Sequence, residues 1–171
     1  MLARSALVLL LTVVVGACAA PPAPAPDGPL PFVVVETGQI ARYDRRQPAI
    51  FVLSDASAFR GWWSATVDRG DPEAVGGMVD FGRELAIAVF QGQRPTGGYG
   101  IEVRGVRRQG TTVRVMVETR TPPPRAVVPQ VITSPYQIVK VSTDALPDWQ
   151  QRHYVVQTAD GTVLAETSVE R

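Results

Sequence analysis

Leu85-Ala86-Ile87-Ala88-Val89-Phe90 is a compact apolar run of strand length, with no polar position to turn toward water. Such a run is expected to be buried on both faces, as a central strand. Phe32-Val33-Val34-Val35 and Ile50-Phe51-Val52-Leu53 read the same way and are also expected to be central strands. Around them the apolar residues alternate. Residues 99–107 carry Ile101 and Val103, residues 111–118 carry Val113, Val115 and Val117, and Gln109-Gly110 lies between, which predicts a β-hairpin with one face in the core. Residues 137–142 repeat the alternation with Ile138, Val139 and Val141, and 153–157 and 162–166 flank Asp160-Gly161 as a closing hairpin. A helix is expected after Ser54, its cap, with Asp55 in the first turn, Phe59, Trp62 and Trp63 on one face, and an end near 68–71. The two tryptophans share their stripe with Phe59, so core packing is preferred over an exposed binding role. Residues 75–80, with Gly76-Gly77, read as a loop. The fold class is α+β: mainly antiparallel sheet with one principal helix packed on it.

The amino-terminal residues place this domain. Arg4 precedes an apolar run, 6–15, broken only by Thr12, and Val15-Gly16-Ala17-Cys18 follows. The run is shorter than the ~20 residues a transmembrane helix needs and reads as a secretory signal. Small residues before a lone cysteine closely resemble a bacterial lipobox. Residues 1–17 are thus expected to be a lipoprotein signal peptide, with Cys18 diacylated and amino-terminal in the mature chain. Ala19, in place of aspartate, favours the outer membrane over inner-membrane retention in a Gram-negative host. Prolines at 21, 22, 24, 26, 29 and 31 make 18–31 a semi-rigid spacer, and 32–171 has the size of one domain. Without Arg4 the mature chain carries 16 Lys plus Arg against 16 Asp plus Glu. That balance provides no basic excess to grip nucleic acid.

The catalytic inventory is thin. Cys18 is the single cysteine and His153 the single histidine, which removes a cysteine nucleophile and any metal centre built from several imidazoles or thiolates. A serine hydrolase would need His153 as base, yet Ser134 and Ser142 lack a G-x-S-x-G context. His153 reads as a strand residue half in water. Asp68, Asp71 and Glu73 read as a solvated loop, and nothing favours glycosidase chemistry. No enzyme activity, cofactor or metal is expected.

The sharpest local signals are Pro95-Thr96-Gly97-Gly98-Tyr99, leading into an alternating strand, and Ser134-Pro135-Tyr136, where the chain re-enters the sheet after a proline-rich segment. In this order, with the strand after each, they resemble the C-terminal domain of PrcB, the protease-complexing family found in bacterial lipoproteins. The resemblance covers about 85–142. It implies a small envelope domain that associates with, and helps stabilise, a secreted or surface subtilisin-like protease. Candidate partner contacts are Thr96, Gly97, Gly98, Tyr99, Pro135 and Tyr136, each with an architectural alternative: glycines that permit close packing and tyrosines that tie loops to the sheet.

Two other readings stand beside it. The 95–99 segment has a short likeness to the Thr-Thr-Gly-Tyr loop of chagasin-like cysteine peptidase inhibitors, although their Arg-Pro-Trp loop is missing here. A structural envelope lipoprotein with no protease partner is the other. A scaffold should lose partner capture on Tyr99→Ala in a folded variant and tolerate replacement of His153. An enzyme should show the reverse in a turnover assay.

Overall fold

Residues 85–90 form the middle of a sheet covered on both faces, and the rest of the chain is arranged around that strand. The computed structural model describes residues 27–169. In chain order the elements are β1 (Gly28–Leu30), β2 (Phe32–Gly38), β3 (Ala49–Leu53), α1 (Ala56–Thr66), α2 (Pro72–Gly76), β4 (Glu84–Phe90), β5 (Gly100–Gln109), β6 (Thr112–Arg120), β7 (Tyr136–Ser142), a 3₁₀ turn at Trp149–Gln151, β8 (His153–Thr158) and β9 (Val163–Ser168). One sheet has the order β2-β7-β4-β3 and is antiparallel throughout. The other has the order β1-β5-β6-β8-β9, with β6 and β8 parallel because β7 crosses to the first sheet between them.

Side-chain alternation divides β4 between two cores. Leu85, Ile87 and Val89 face the second sheet and pack with Ile101, Val103, Val115, Val139 and Tyr154. Ala86, Ala88 and Phe90 face the helices and pack with Phe59, Trp63, Val75 and Ile138. The two alanines leave room for the Phe59 and Trp63 rings, whose centroids lie 5.7 Å apart. The architecture is therefore α+β in three layers: sheet, sheet, helices. Trp63 is buried and Trp62 half-buried, so the preference for core packing holds. Both hairpin turns are where the glycines placed them, with Gly110 at φ 56 and Gly161 at φ 88.

Four expectations are corrected. β2 and β3 are edge strands, not central ones. An apolar run reports strand propensity but not the number of neighbours: β2 pairs only with β7, and it leaves Val33 57% and Val34 47% exposed. The cap of α1 is Asp55, whose carboxylate accepts from the Ala58 N–H at 2.7 Å, and not Ser54. Residues 72–76 form α2, capped by Asp71 with Pro72 in its first turn; Gly76-Gly77 ends this helix and does not prevent it. Finally, the spacer assigned to 18–31 gives up its last residues to the sheet, since β1 pairs with β5 and Asp27 accepts from the Gly110 N–H at 2.8 Å. The signal peptide, Cys18 and the spacer up to residue 26 lie outside the described residues.

The end of the domain where the chain enters is fastened by Arg152, whose side chain is 4% exposed. It donates to both Asp148 carboxylate oxygens and to the Gly110 carbonyl. Partial burial pushes the Asp148 carboxyl up, but the Arg152 bonds outweigh this and its pKa is lowered. A carboxyl lowered in the folded state contributes stability that is present above its unfolded value of about 3.9 and is lost as pH falls through the folded value. Asp148→Asn is expected to lower stability at pH 7, with the gap from the parent closing below about pH 4 in urea unfolding across a pH series.

Candidate functional site

After β4 the chain is led away from the sheet by contacts that leave little freedom. The Gln91 N–H donates to the Pro135 carbonyl at 2.9 Å and the Gln93 N–H to the Arg45 carbonyl at 2.8 Å. Between them Gly92 has φ 88, and a Cβ there would sit 2.3 Å from the Arg46 carbonyl oxygen, so only glycine fits. Arg94 and Thr133 then exchange backbone hydrogen bonds of 2.7 and 3.0 Å. This bridge brings together two motifs that lie far apart in the chain, Pro95–Tyr99 and Ser134–Tyr136. The Thr133 hydroxyl reinforces it by donating to the Thr96 carbonyl at 2.8 Å.

The glycine pair is a seat for the proline-rich segment 121–132. The Gly97 N–H donates to the Pro129 carbonyl at 2.8 Å, and a Cβ at Gly97 would lie 3.0 Å from the Pro129 ring. Gly98, at φ 86, would place a Cβ 3.0 Å from both Pro122 and Val128. Beside them the half-buried Tyr99 ring lies under the Arg94 guanidinium, at 5.7 Å, in a cation–π contact. The 95–99 segment is thus held down along its length and does not project as a free plug, which removes support from the inhibitor reading.

Pro135 and Tyr136 are buried, which corrects their candidacy as partner contacts. Tyr136 stacks on Phe90 with centroids 5.3 Å apart, and burial, with a smaller contribution from Glu36, pushes its phenol up to about 12. A Cβ at Gly38 would lie 2.2 Å from this ring, so glycine is required where β2 passes it. Of the six candidates, Thr96, Gly98 and Tyr99 keep partial exposure and Gly97 is buried. The apolar surface at this end comes from residues that the sequence reading did not single out. Val127 is fully exposed, and Val131 and Ile132 of the same segment are exposed as well. Three β-branched residues in a proline-rich loop have no periodicity to reveal whether they face in or out. Only the docking of Pro122, Val128 and Pro129 onto the glycines decides that they face out.

His153 lies on the outer face of the five-stranded sheet. The β8–β9 register sets Ser168 opposite it. Its Nδ1 is 3.2 Å from Ser168 Oγ and its Nε2 3.2 Å from Glu166 Oε2. Neither partner was foreseen, because a register across a hairpin is not written in residue type. All three groups are exposed on a sheet surface, with Glu166 64% open to solvent, so they lack the water-excluded, preorganised setting that makes such a trio catalytic. Among the described residues no group of three or more His, Cys, Asp or Glu could hold a metal ion.

The loop end, with its bridge and its seat, lies almost wholly within one matched segment. Residues 85–142, from β4 to β7, match the family model described as PrcB C-terminal. No curated protein matches the chain, and no solved structure matches it. The positive φ at Gly98 yields a direct test. Gly98→Ala is expected to cost ~1–3 kcal/mol from backbone strain and to dislodge the proline-rich segment. Denaturant unfolding measures the first effect, and faster limited proteolysis within 121–132 measures the second.

Proposed function

We propose that this chain, whose residues 85–142 carry the PrcB C-terminal family domain, is a non-catalytic lipoprotein of the cell envelope that binds and stabilises a secreted or surface protease. The family is a protease-complexing one. The observation that carries the reading is the exposure of Val127, Val131 and Ile132 on one proline-rich segment, which is locked to the family motif at Gly97 and Gly98. A segment already fixed by proline rings and by a backbone hydrogen bond loses little conformational entropy when a partner covers it. The covered side chains contribute apolar burial, while the polar rim supplies register. A partner that binds only the folded protease raises that protease's stability by mass action.

The placement of the two ends supports the same reading. β1 enters beside the β5–β6 turn, where Gly28 pairs with Arg108. The loops lie at the other end of β5, where Gly100 pairs with Arg120. At ~3.3 Å per residue the strand separates them by about 26 Å. With Cys18 acylated, a membrane tether arrives at one end and the apolar loop is held clear of it at the other.

The test is affinity capture from native envelopes with the full Cys18-lipidated chain as bait, read by mass spectrometry against a Val127→Ser, Ile132→Ser variant. Both side chains are exposed, so the variant is expected to unfold within ~0.5 kcal/mol of the parent. A protease recovered with the parent, and about tenfold less with the variant, is the expected result. Recovery of no protease, or equal recovery by both baits, overturns the reading.

A further inference from the structure

At the same end of the domain the five-stranded sheet has an unfinished edge. β1 covers β5 only from Arg108 to Val106, and Pro31, which has no N–H to donate, takes the chain across to the other sheet. From 100 to 105, β5 has β6 on one side and, among the described residues, no strand on the other. The direction of its free groups follows from one bond: the Val103 N–H turns away from β6 and donates to Gln137 Oε1 at 2.7 Å. By the alternation of an antiparallel ladder, Ile101 turns both its N–H and its C=O away from β6, and the residue as a whole is 4% exposed.

A cleft of about 270 Å³ lies along this edge, with Thr37 and Gln39 of the other sheet on its far wall. Gln137 is 5% exposed and is held there by its second bond, from Nε2 to the Thr37 hydroxyl at 3.0 Å. Two arginines line the cleft, and they are in different states. Arg104 is paired with Glu102 and Glu118. Among the described residues the Arg120 guanidinium donates only to the Gly98 carbonyl, at 3.2 Å, and no carboxylate lies within ion-pair distance of it. Its guanidinium lies over Gly100, with Nη2 3.4 Å from the position a Cβ would take, so the absence of a side chain keeps this end of the cleft open.

We propose that the cleft receives an extended segment of the protein partner as a strand added to β5 at Ile101, with an aspartate or glutamate side chain of that segment paired with Arg120. A backbone segment is the ligand class that satisfies a donor and an acceptor on one edge residue together, as in other strand additions. The bulge between Val103 and Gly105 ends the pairing on one side and limits the added strand to a few residues. The unmatched guanidinium selects for an acidic side chain, because a carboxylate forms charge-assisted bonds with it that a neutral amide cannot. The inference rests on the association reading for the partner being a protein.

The test is a titration of the full chain in detergent with acetyl-Thr-Val-Asp-Val-Thr-amide, following the Ile101 backbone amide by NMR. Its Asn counterpart and an Asp peptide N-methylated at alternate residues are run in parallel. The Asp peptide should shift the Ile101 amide saturably, the Asn peptide should bind about tenfold more weakly, and N-methylation should abolish the shift. Arg120→Gln should make the Asp and Asn peptides equal, whereas Arg120→Lys should keep a preference for Asp, with both variants checked by thermal unfolding. An unmoved Ile101 amide, or equal affinity for the Asp and Asn peptides in the parent, overturns the proposal. No protease is present in the titration. Peptide binding with failed capture therefore removes only the association reading, and capture without peptide binding removes only the cleft.

Discussion

Burial of β4 on both faces is the constraint on which the rest of this structure depends. A strand between two layers has no solvent side, so each of its side chains must find an apolar partner or bear a desolvation penalty. Leu85, Ile87 and Val89 fill the space between the sheets, while Ala86 and Ala88 let α1 come close enough for Phe59 and Trp63 to cover the outer face. The arrangement fixes the register of β7 and β3 on either side, because a slip of one residue would exchange large side chains for small ones in both cores at once. The segments that leave β4 and enter β7 start from defined positions as a result.

That precision is carried into the loops by a few glycines and backbone bonds. Gly92 lets the chain pass the Arg46 carbonyl, the Arg94–Thr133 bridge joins the two motif segments, and Gly97 and Gly98 accept the proline rings. None of these groups is reactive. Their common effect is to hold apolar side chains and an open strand edge at one end of the domain in a single arrangement. This suits a protein that acts by association, where preorganisation limits the entropy lost on binding. The opposite end is occupied by the entering chain and by the Arg152 anchor. The two therefore lie at opposite ends of β5.

Several features were legible in the sequence for local reasons. The alternation of 101–107 and 111–118, the glycines at 110 and 161, and the apolar run 85–90 each carry their signal in neighbouring residues, and the strands and hairpins they predicted are present. The motifs 95–99 and 134–136 were legible as a pair and lie within residues 85–142, which match the family model described as PrcB C-terminal. The site was only half legible. Tyr136 looked available for contact, but its ring is stacked on Phe90 inside the domain. Val127, Val131 and Ile132 carried no periodic signal and are exposed.

By itself the sequence determined the class of the domain, its strands and turns, its principal helix and the motifs at 95–99 and 134–136, because propensity, alternation and glycine placement act over a few residues. Only the tertiary structure decided that β2 and β3 lie at edges, that the domain has two cores, that Ser168 and Glu166 flank His153, and that, among the described residues, β1 covers one edge of β5 only at 106–108. Each of these depends on which segments become neighbours. That choice is made by the packing of the whole chain, where a residue's exposure is set by what covers it and not by its type.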